Sequence, residues 1–427
     1  MGKIYIIGAE VKSLTPKGVV DGGVAIDNGV IVEVGVDVDV QTSVGDEVVR
    51  VDSCTILPGF VDAHVHLREP GFEYKETIAS GSRAAARGGV TTLFTMPNLN
   101  PTPDTVENVE VQLAAIKRDG VVNVIPYASI TMGQLGEGEL VDFDSIAPMV
   151  GGFSDDGRGV QSGELMHQAM VKAKELDMPI VAHCEANEEL NGGYIHDGEY
   201  AKANGHRGIN SKSEWLHVKR DIEIVEQTGC QYHVCHISTK ESVALVREAK
   251  AKGLKVSCEV APHYLLLTDM DLKEEGRFKM NPPIRSAEDR AALIEGLRDG
   301  TIDLIATDHA PHSAEEKSRG LAKSAFGVVG IEFSFASLYK HLVCEGVISL
   351  DRLMDAMAYR ARQLFKLPKV AVEVGSPADL VAINLDEEYT INPAEFLSMG
   401  KATPMEGMVV KGRVKATLVG GKVAYRE

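Results

Sequence analysis

Through the middle of the chain, apolar runs at 60–66, 90–96, 122–129, 149–154, 179–183, 232–236, 255–260 and 303–308 alternate with segments whose apolar residues keep helical spacing. Strand-length runs alternating with helical ones predict a parallel sheet with crossover helices. Eight of them over roughly 310 residues fit a TIM-like (β/α)8 barrel with loop insertions. Toward both ends the pattern changes. Short alternating runs at 4–7, 23–26, 31–36 and 47–51 are broken by Gly, Asp and Asn, and runs at 381–383, 407–411, 414–419 and 422–425 repeat the pattern. Period-two runs separated by turn residues predict small antiparallel sheets. The simplest assembly is an α/β chain in which residues 1–57 and 371–427 build one composite β-sandwich and residues 58–370 form the barrel inserted between them.

Composition keeps this picture and narrows the partners. A chain of 427 residues exceeds the usual single core, and its 44% hydrophobic and 25% charged content is that of a soluble globular protein. No apolar run approaches the roughly 20 residues of a membrane span. The first residues enter a strand-like run with neither a signal-peptide pattern nor the Ser or Thr at position 6 used in N-myristoylation, so a cytoplasmic location is expected. A net charge of −18 argues against nucleic acid and requires that any anionic substrate be captured by local cations. The six cysteines form no C-x-x-C pair, and Cys184 and Cys235, each beside a histidine, are expected to pack on the face opposite their neighbours. A small-molecule substrate and assembly as a homodimer complete the expectations about partners.

The candidate chemistry lies at the carboxyl ends of the apolar runs: His64 and His66 on the first, Asp155 and Asp156 on the fourth, His183 on the fifth, His236 on the sixth and Asp308 on the eighth. In a (β/α)8 barrel those ends converge on one face and carry the active site. Residues i and i+2 of a strand share a side, so His64 and His66 can hold one ion while Val65 packs the other way. A single histidine in an apolar run is more often a satisfied core residue; four at strand ends, with carboxylates, point to metal. Nitrogen and oxygen donors without a convincing thiolate suit Zn²⁺, with Mn²⁺, Co²⁺ or Fe²⁺ as substitutes. Six ligands are too many for one tetrahedral ion that keeps an open position, so two ions per chain are expected, with a water between them as nucleophile. Asp308, in the segment 306–312, is placed to take that water's proton. Spacing alone leaves the choice between Asp155 and Asp156 open.

The motifs H-x-H-L-R-E-P-G at 64–71, M-P-N at 96–98, N-P-P-I-R at 281–285 and D-H-A-P-H at 308–312 resemble those of the type I dihydroorotases of the amidohydrolase superfamily, and the likeness extends over nearly the whole chain. The first and last are specific in combination. Hydantoinases and allantoinases share the barrel and several ligands but usually bridge their metals with a carbamoylated lysine at the end of strand four. Here 151–157 reads G-G-F-S-D-D-G and no lysine follows until Lys172, a departure that favours the dihydroorotases, which put an aspartate there. The resemblance implies His64 and His66 on one zinc, His183 and His236 on the other, Asp156 bridging, and Asp308 as first-metal ligand and acid–base.

For the substrate, the resemblance implies Arg68 as a fork on a carboxylate with Asn98 and His312 beside it, Asn281 and the backbone at Phe326 and Gly327 on the ring amides, and His66 in reach as well. A planar guanidinium matches a carboxylate bidentately and supplies the positive charge this acidic chain otherwise lacks. The activity implied is the reversible, zinc-dependent cyclisation of N-carbamoyl-L-aspartate to (S)-dihydroorotate, in pyrimidine synthesis. Two alternatives belong beside it: a hydantoinase or allantoinase, and a non-catalytic scaffold subunit, which would carry a broken ligand set. Residues 310–327 read as a polar lid, and His233, His263, His309, Arg285 and Trp215 as structural.

Overall fold

The computed structural model describes residues 2–8, 10–36, 38, 40 and 42–427; the five other positions fall in the expected terminal domain and lie outside the described residues. Parallel pairing runs from Phe60–Val65 to Val90–Thr95 and on to Asn123–Pro126. Single bridges carry it through Phe153 to Ile180–Ala182, then ladders continue through Tyr232–Val234 and Val256–Val260 to Leu304–Ile305. The series returns to its start: His309 bridges Val65 in parallel, and the His66 amide donates to the His309 carbonyl at 2.9 Å. Asp62 fastens the same seam. Its buried carboxylate accepts from the Thr307 amide (3.0 Å), the Thr307 hydroxyl (2.5 Å) and the His64 amide (3.2 Å).

The fourth expected run is shorter than 149–154: Ala147–Met149 closes a 3-10 turn around Pro148, and pairing starts after it, with Gly151, Gly152 and Ser154 hydrogen-bonded to Pro126 and Ala128 and Phe153 bridging both neighbouring strands. Gly151 is needed there, since a Cβ would stand 2.6 Å from the Phe94 ring.

Around the ring lie helices with ordinary start signals. Thr77, Ser162, Thr239 and Ser286 cap Ile78–Arg87, Gly163–Glu175, Lys240–Ala251 and Ala287–Asp299 by accepting from the third amide on. Inside the ring Val61, Ala63, Phe94, Met96, Val181, Cys235, Leu304 and Ala306 form a core of their own, closed from one end by Leu364 and Phe365. Strand residues of the other parity, such as Leu93, Ile180, Tyr232 and Val234, join the core beneath the helices.

The chain termini build two sheets. A four-stranded one orders Val30–Gly35, Gly23–Asp27, Ile4–Ile7 and Glu47–Arg50. A six-stranded one orders Lys422–Arg426, Val409–Val419, Leu380–Thr390, Thr55–Pro58, Lys12–Thr15 and Gly18–Asp21, so strands from both ends share it. Ile6, Val24, Ile31 and Val49 of the first pack against Ile56, Leu380, Ala382 and Leu418 of the second. The Lys12–Thr15 and Gly18–Asp21 hairpin and the Thr55–Pro58 strand were not expected from the pattern. Conversely, the runs at 407–411 and 414–419 are one strand that passes through Gly412 at φ +101°, where the backbone lies close against Phe335 and Tyr339. The outer face of the six-stranded sheet rests on the first helix, with the Thr417 hydroxyl donating to the Ala86 carbonyl at 2.6 Å.

Candidate active site

Asp156 stands at the centre of the strand-end residues. Its Oδ1 lies 3.3 Å from His64 Nε2, 3.4 Å from His236 Nε2 and 3.5 Å from His183 Nδ1, and its Oδ2 lies 3.4 Å from His66 Nε2. Asp308 Oδ1 approaches His66 Nε2 at 3.1 Å and His64 Nε2 at 3.5 Å. One carboxylate therefore faces four imidazoles, and the other faces two of them. All six residues are buried. Two of the backbones are bent to achieve this, with φ +29° at His236 and +47° at Asp308. At His236 the bend breaks strand alternation, so both Cys235 and His236 point inward; Cys235 joins the core inside the ring, whereas Cys184 packs outward, 3.1 Å from the Tyr232 hydroxyl.

Asp155 is differently occupied. Its Oδ1 accepts from the Ile130 and Thr131 amides (2.7 and 3.2 Å) and its Oδ2 from the Thr131 hydroxyl (2.5 Å), which ties the loop after the third strand to the fourth. No histidine is among its hydrogen-bond partners.

Behind these residues sits a set of carboxylates that the motifs did not flag. Glu259, fully buried on Val256–Val260, accepts from His64 Nδ1 at 2.7 Å, lies 3.1 Å from His233 Nε2 and takes the His236 amide at 3.3 Å. A charge inside the apolar strand 255–260 was the available signal, because a buried carboxylate needs partners. Glu185, two residues past His183, lies 3.7 Å from His183 Nε2. With Nδ1 donating to Glu259, His64 Nε2 carries a lone pair, yet it is buried without a hydrogen bond and faces the acceptor oxygens of Asp156 and Asp308. Acceptors converging on acceptors fit a cation between them. The same field acts on protons: burial disfavours the His64 imidazolium, but Asp156 and Glu259 raise its pKa well above the ordinary value. Burial likewise opposes charge on Asp156, and the surrounding histidines, His64 foremost, hold it well below the usual carboxylate range. The donor set of nitrogen and carboxylate oxygen suits divalent zinc or its neighbours.

A cavity of about 210 Å³ opens over these residues. Its walls include His66, Asp156, His183, His236 and Asp308 with Arg68, Asn98, Asn281, His312, Phe326 and Gly327; His64 lies deeper. Arg68 is buried at φ +62° and donates through Nε to the Pro311 carbonyl at 3.2 Å. The carboxylates next to it are used elsewhere, Glu69 by Arg118 and Glu73 by the Gly71 amide, and among the described residues no ion pair engages Arg68. His312 Nε2 must donate to the Phe326 carbonyl, 2.6 Å away, which leaves Nδ1 to accept from Lys75 at 3.4 Å. Burial, then Arg68 and Lys75, pushes its pKa down to about 3, so it is neutral at pH 7. Asn281 gives its NH₂ to the Glu185 carboxylate at 2.5 Å and so turns its carbonyl oxygen to whatever else it meets. Asn98 spends one N–H on the Asp156 carbonyl at 2.6 Å and keeps the other. Lys172, the first lysine beyond strand four, is on the protein surface and pairs with Glu175. The expected lid 310–327 is held more firmly than its polarity suggested, with Leu321, Lys317 and Ser324 buried.

With this geometry in view, comparison with known proteins is informative. A family profile described as dihydro-orotase-like matches residues 54–242. The chain is 51% identical over 384 residues to the dihydroorotase of Bacillus caldolyticus, covering 90% of each, and 50% identical over 390 residues to that of Anoxybacillus flavithermus, covering 91% of each. Among solved structures it resembles the L-hydantoinase (dihydropyrimidinase) of Arthrobacter aurescens, with a TM-score of 0.85 at 25% identity over 99% of this chain and 96% of that one. A D-hydantoinase structure matches with a TM-score of 0.84 at 22% identity over 99% and 95%, a likeness of fold.

Proposed function

This chain belongs to the dihydroorotase family, and from that premise we propose that it interconverts N-carbamoyl-L-aspartate and (S)-dihydroorotate, as a type I enzyme of pyrimidine synthesis. It acts on a cyclic amide. The observation that carries the reading is the juxtaposition, in one cavity, of an unpaired Arg68 guanidinium and the carboxylate-centred histidine cluster, because this substrate offers a carboxylate on the ring it opens.

The cluster fits two divalent ions, taken here as zinc: His64, His66 and Asp308 would hold one, His183 and His236 would hold the other, and Asp156 would serve as a ligand shared between them. Bound there, such ions supply an acidified water and polarise a carbonyl at neutral pH. The chain's own groups do the rest. Arg68 takes the ring carboxylate as a fork, flanked by the free N–H of Asn98 and by neutral His312. The Asn281 carbonyl oxygen accepts from a ring N–H, and the backbone at Phe326 and Gly327 completes the grip, with His66 at the floor. In hydrolysis water adds to the ring carbonyl, Asp308 takes one of its protons, the C–N bond breaks and Asp308 returns that proton to the departing nitrogen. The acid so formed releases its proton to solvent. Cyclisation runs the same path in reverse and takes up one proton.

The surrounding architecture we read as a (β/α)8 barrel at 58–370 carrying a β-sandwich made of 1–57 and 371–427, in a cytoplasmic homodimer. A hydantoinase is the second reading, favoured by the solved-structure likeness. Its uncharged substrates leave Arg68 without a task. Steady-state assays with dihydroorotate, hydantoin and allantoin side by side separate the two: dihydroorotate should lead in kcat/KM, and preference for either uncharged ring overturns the proposal.

A further inference from the structure

We propose that Lys317 is a substrate-positioning residue: its buried ammonium joins the two backbone segments that wall the ring-binding side of the cavity. Nζ donates to the carbonyls of Gly327 (2.7 Å), Ala325 (2.8 Å) and Lys279 (3.0 Å). Two of these acceptors flank or belong to the Phe326–Gly327 stretch, and the third lies two residues before Asn281. The two segments also meet directly, through the Gly327 amide on the Lys279 carbonyl at 3.1 Å.

An ammonium has three N–H groups and no acceptor, and here each N–H finds one carbonyl. A neutral side chain of that length leaves three carbonyls, those of Gly327 and Lys279 buried, facing one another. Burying the charge has a cost, seen in a pKa that burial, and then the nearby Lys279 charge, lower to about 7. The surrounding segment bears this out. Lys279 donates in turn to the Ala322 carbonyl at 3.0 Å and lies over the Phe326 ring at 4.4 Å, and His312 donates to the Phe326 carbonyl, so the ring-binding wall and the carboxylate end of the cavity are linked through one loop. On its other side Lys317 borders a second cavity, of about 430 Å³, which gives solvent a route to the place the side chain fills.

This rests on the reading of Phe326, Gly327 and Asn281 as substrate contacts, and the test separates the two. In the metal-loaded full chain, Lys317→Met should speed hydrogen exchange of the 325–327 amides and raise KM for dihydroorotate about tenfold, with kcat within about threefold and metal content unchanged, as loss of positioning rather than chemistry requires. Lys323→Met, which removes the same charge from an exposed site on this segment, should do neither. Lys317→Ala should regain a low KM when ethylammonium is added and not when propanol is, since only a cation restores the three bonds. Unchanged exchange in Lys317→Met overturns the latch whatever KM does. Faster exchange with an unmoved KM overturns Phe326 and Gly327 as substrate contacts. Rescue by propanol as good as by ethylammonium reduces Lys317 to a space-filler and overturns the inference.

Discussion

Asp155 and Asp156 are adjacent, both buried and chemically identical, and their neighbours give them opposite tasks. Asp155 spends both oxygens on Ile130 and Thr131, whereas Asp156 faces four histidines. Asp156→Ala should therefore lose at least one of two bound metal ions per chain while remaining folded. Asp155→Ala should keep its metal and lose about 2–4 kcal/mol of stability, because three donors are left without an acceptor. Elemental analysis and a denaturant titration of the two variants decide it, and metal lost from Asp155→Ala alone reverses the assignment. Spacing could reach the pair, and only the likeness to a family pattern chose Asp156 within it, since what occupies Asp155 is Ile130 and Thr131, more than twenty residues away. His312 was legible as a polar residue near the site; its neutrality was not, because that comes from its burial in the folded chain and then from the Arg68 and Lys75 charges packed against it. His312→Gln should then leave the pH profile of kcat/KM without any lost limb near pH 6.5, while raising KM.

At the scale of the elements, strand ends were more legible than strands. The runs at 179–183 and 232–236 were found because a continuous apolar stretch bounded by a histidine survives any register, whereas 149–154 begins inside the 3-10 turn at Ala147–Met149 and pairs only from Gly151 on. The Lys12–Thr15 and Gly18–Asp21 hairpin escaped because its strands are short and largely exposed, leaving little apolar signal. Glu259 and Asp62 escaped because each is a lone carboxylate whose side-chain partners lie on other segments of the chain. Asp62 is the element-scale lever: it binds the first strand to the last, and through the His64 amide it fixes a proposed metal ligand. Asp62→Ala should cost about 2–4 kcal/mol by stripping three buried donors and should weaken metal binding as well. A variant with parent stability and parent metal affinity would show that the seam does not depend on this carboxylate.

For the whole molecule, a net charge of −18 and three neutral histidines, one buried and two partly buried, set how the protein responds to acid. Burial and neighbouring arginines lower His196 to about 4 and His217 to about 3, and His312 to about 3 as well. These folded-state values lie below the ordinary 6.5, so as pH falls from there the unfolded chain takes up protons that the folded chain refuses. Stability is thus fully present above about pH 6.5 and is lost as pH falls toward 4, by up to about 1.4 kcal/mol per pH unit for each histidine. Urea midpoints of metal-loaded protein between pH 7.5 and 5.5 should fall accordingly, and a flat profile would contradict it. The central claim joins metal cluster and guanidinium in one active site, and one variant tests it most directly. Arg68→Met, assayed for dihydroorotate hydrolysis with metal measured on the same sample, should retain two ions per chain and lose at least about a hundredfold in kcat/KM, because the carboxylate loses its paired charge and the ring its alignment. Near-parent kcat/KM in that variant, with metals intact, would show that the cavity does not hold its substrate by a carboxylate.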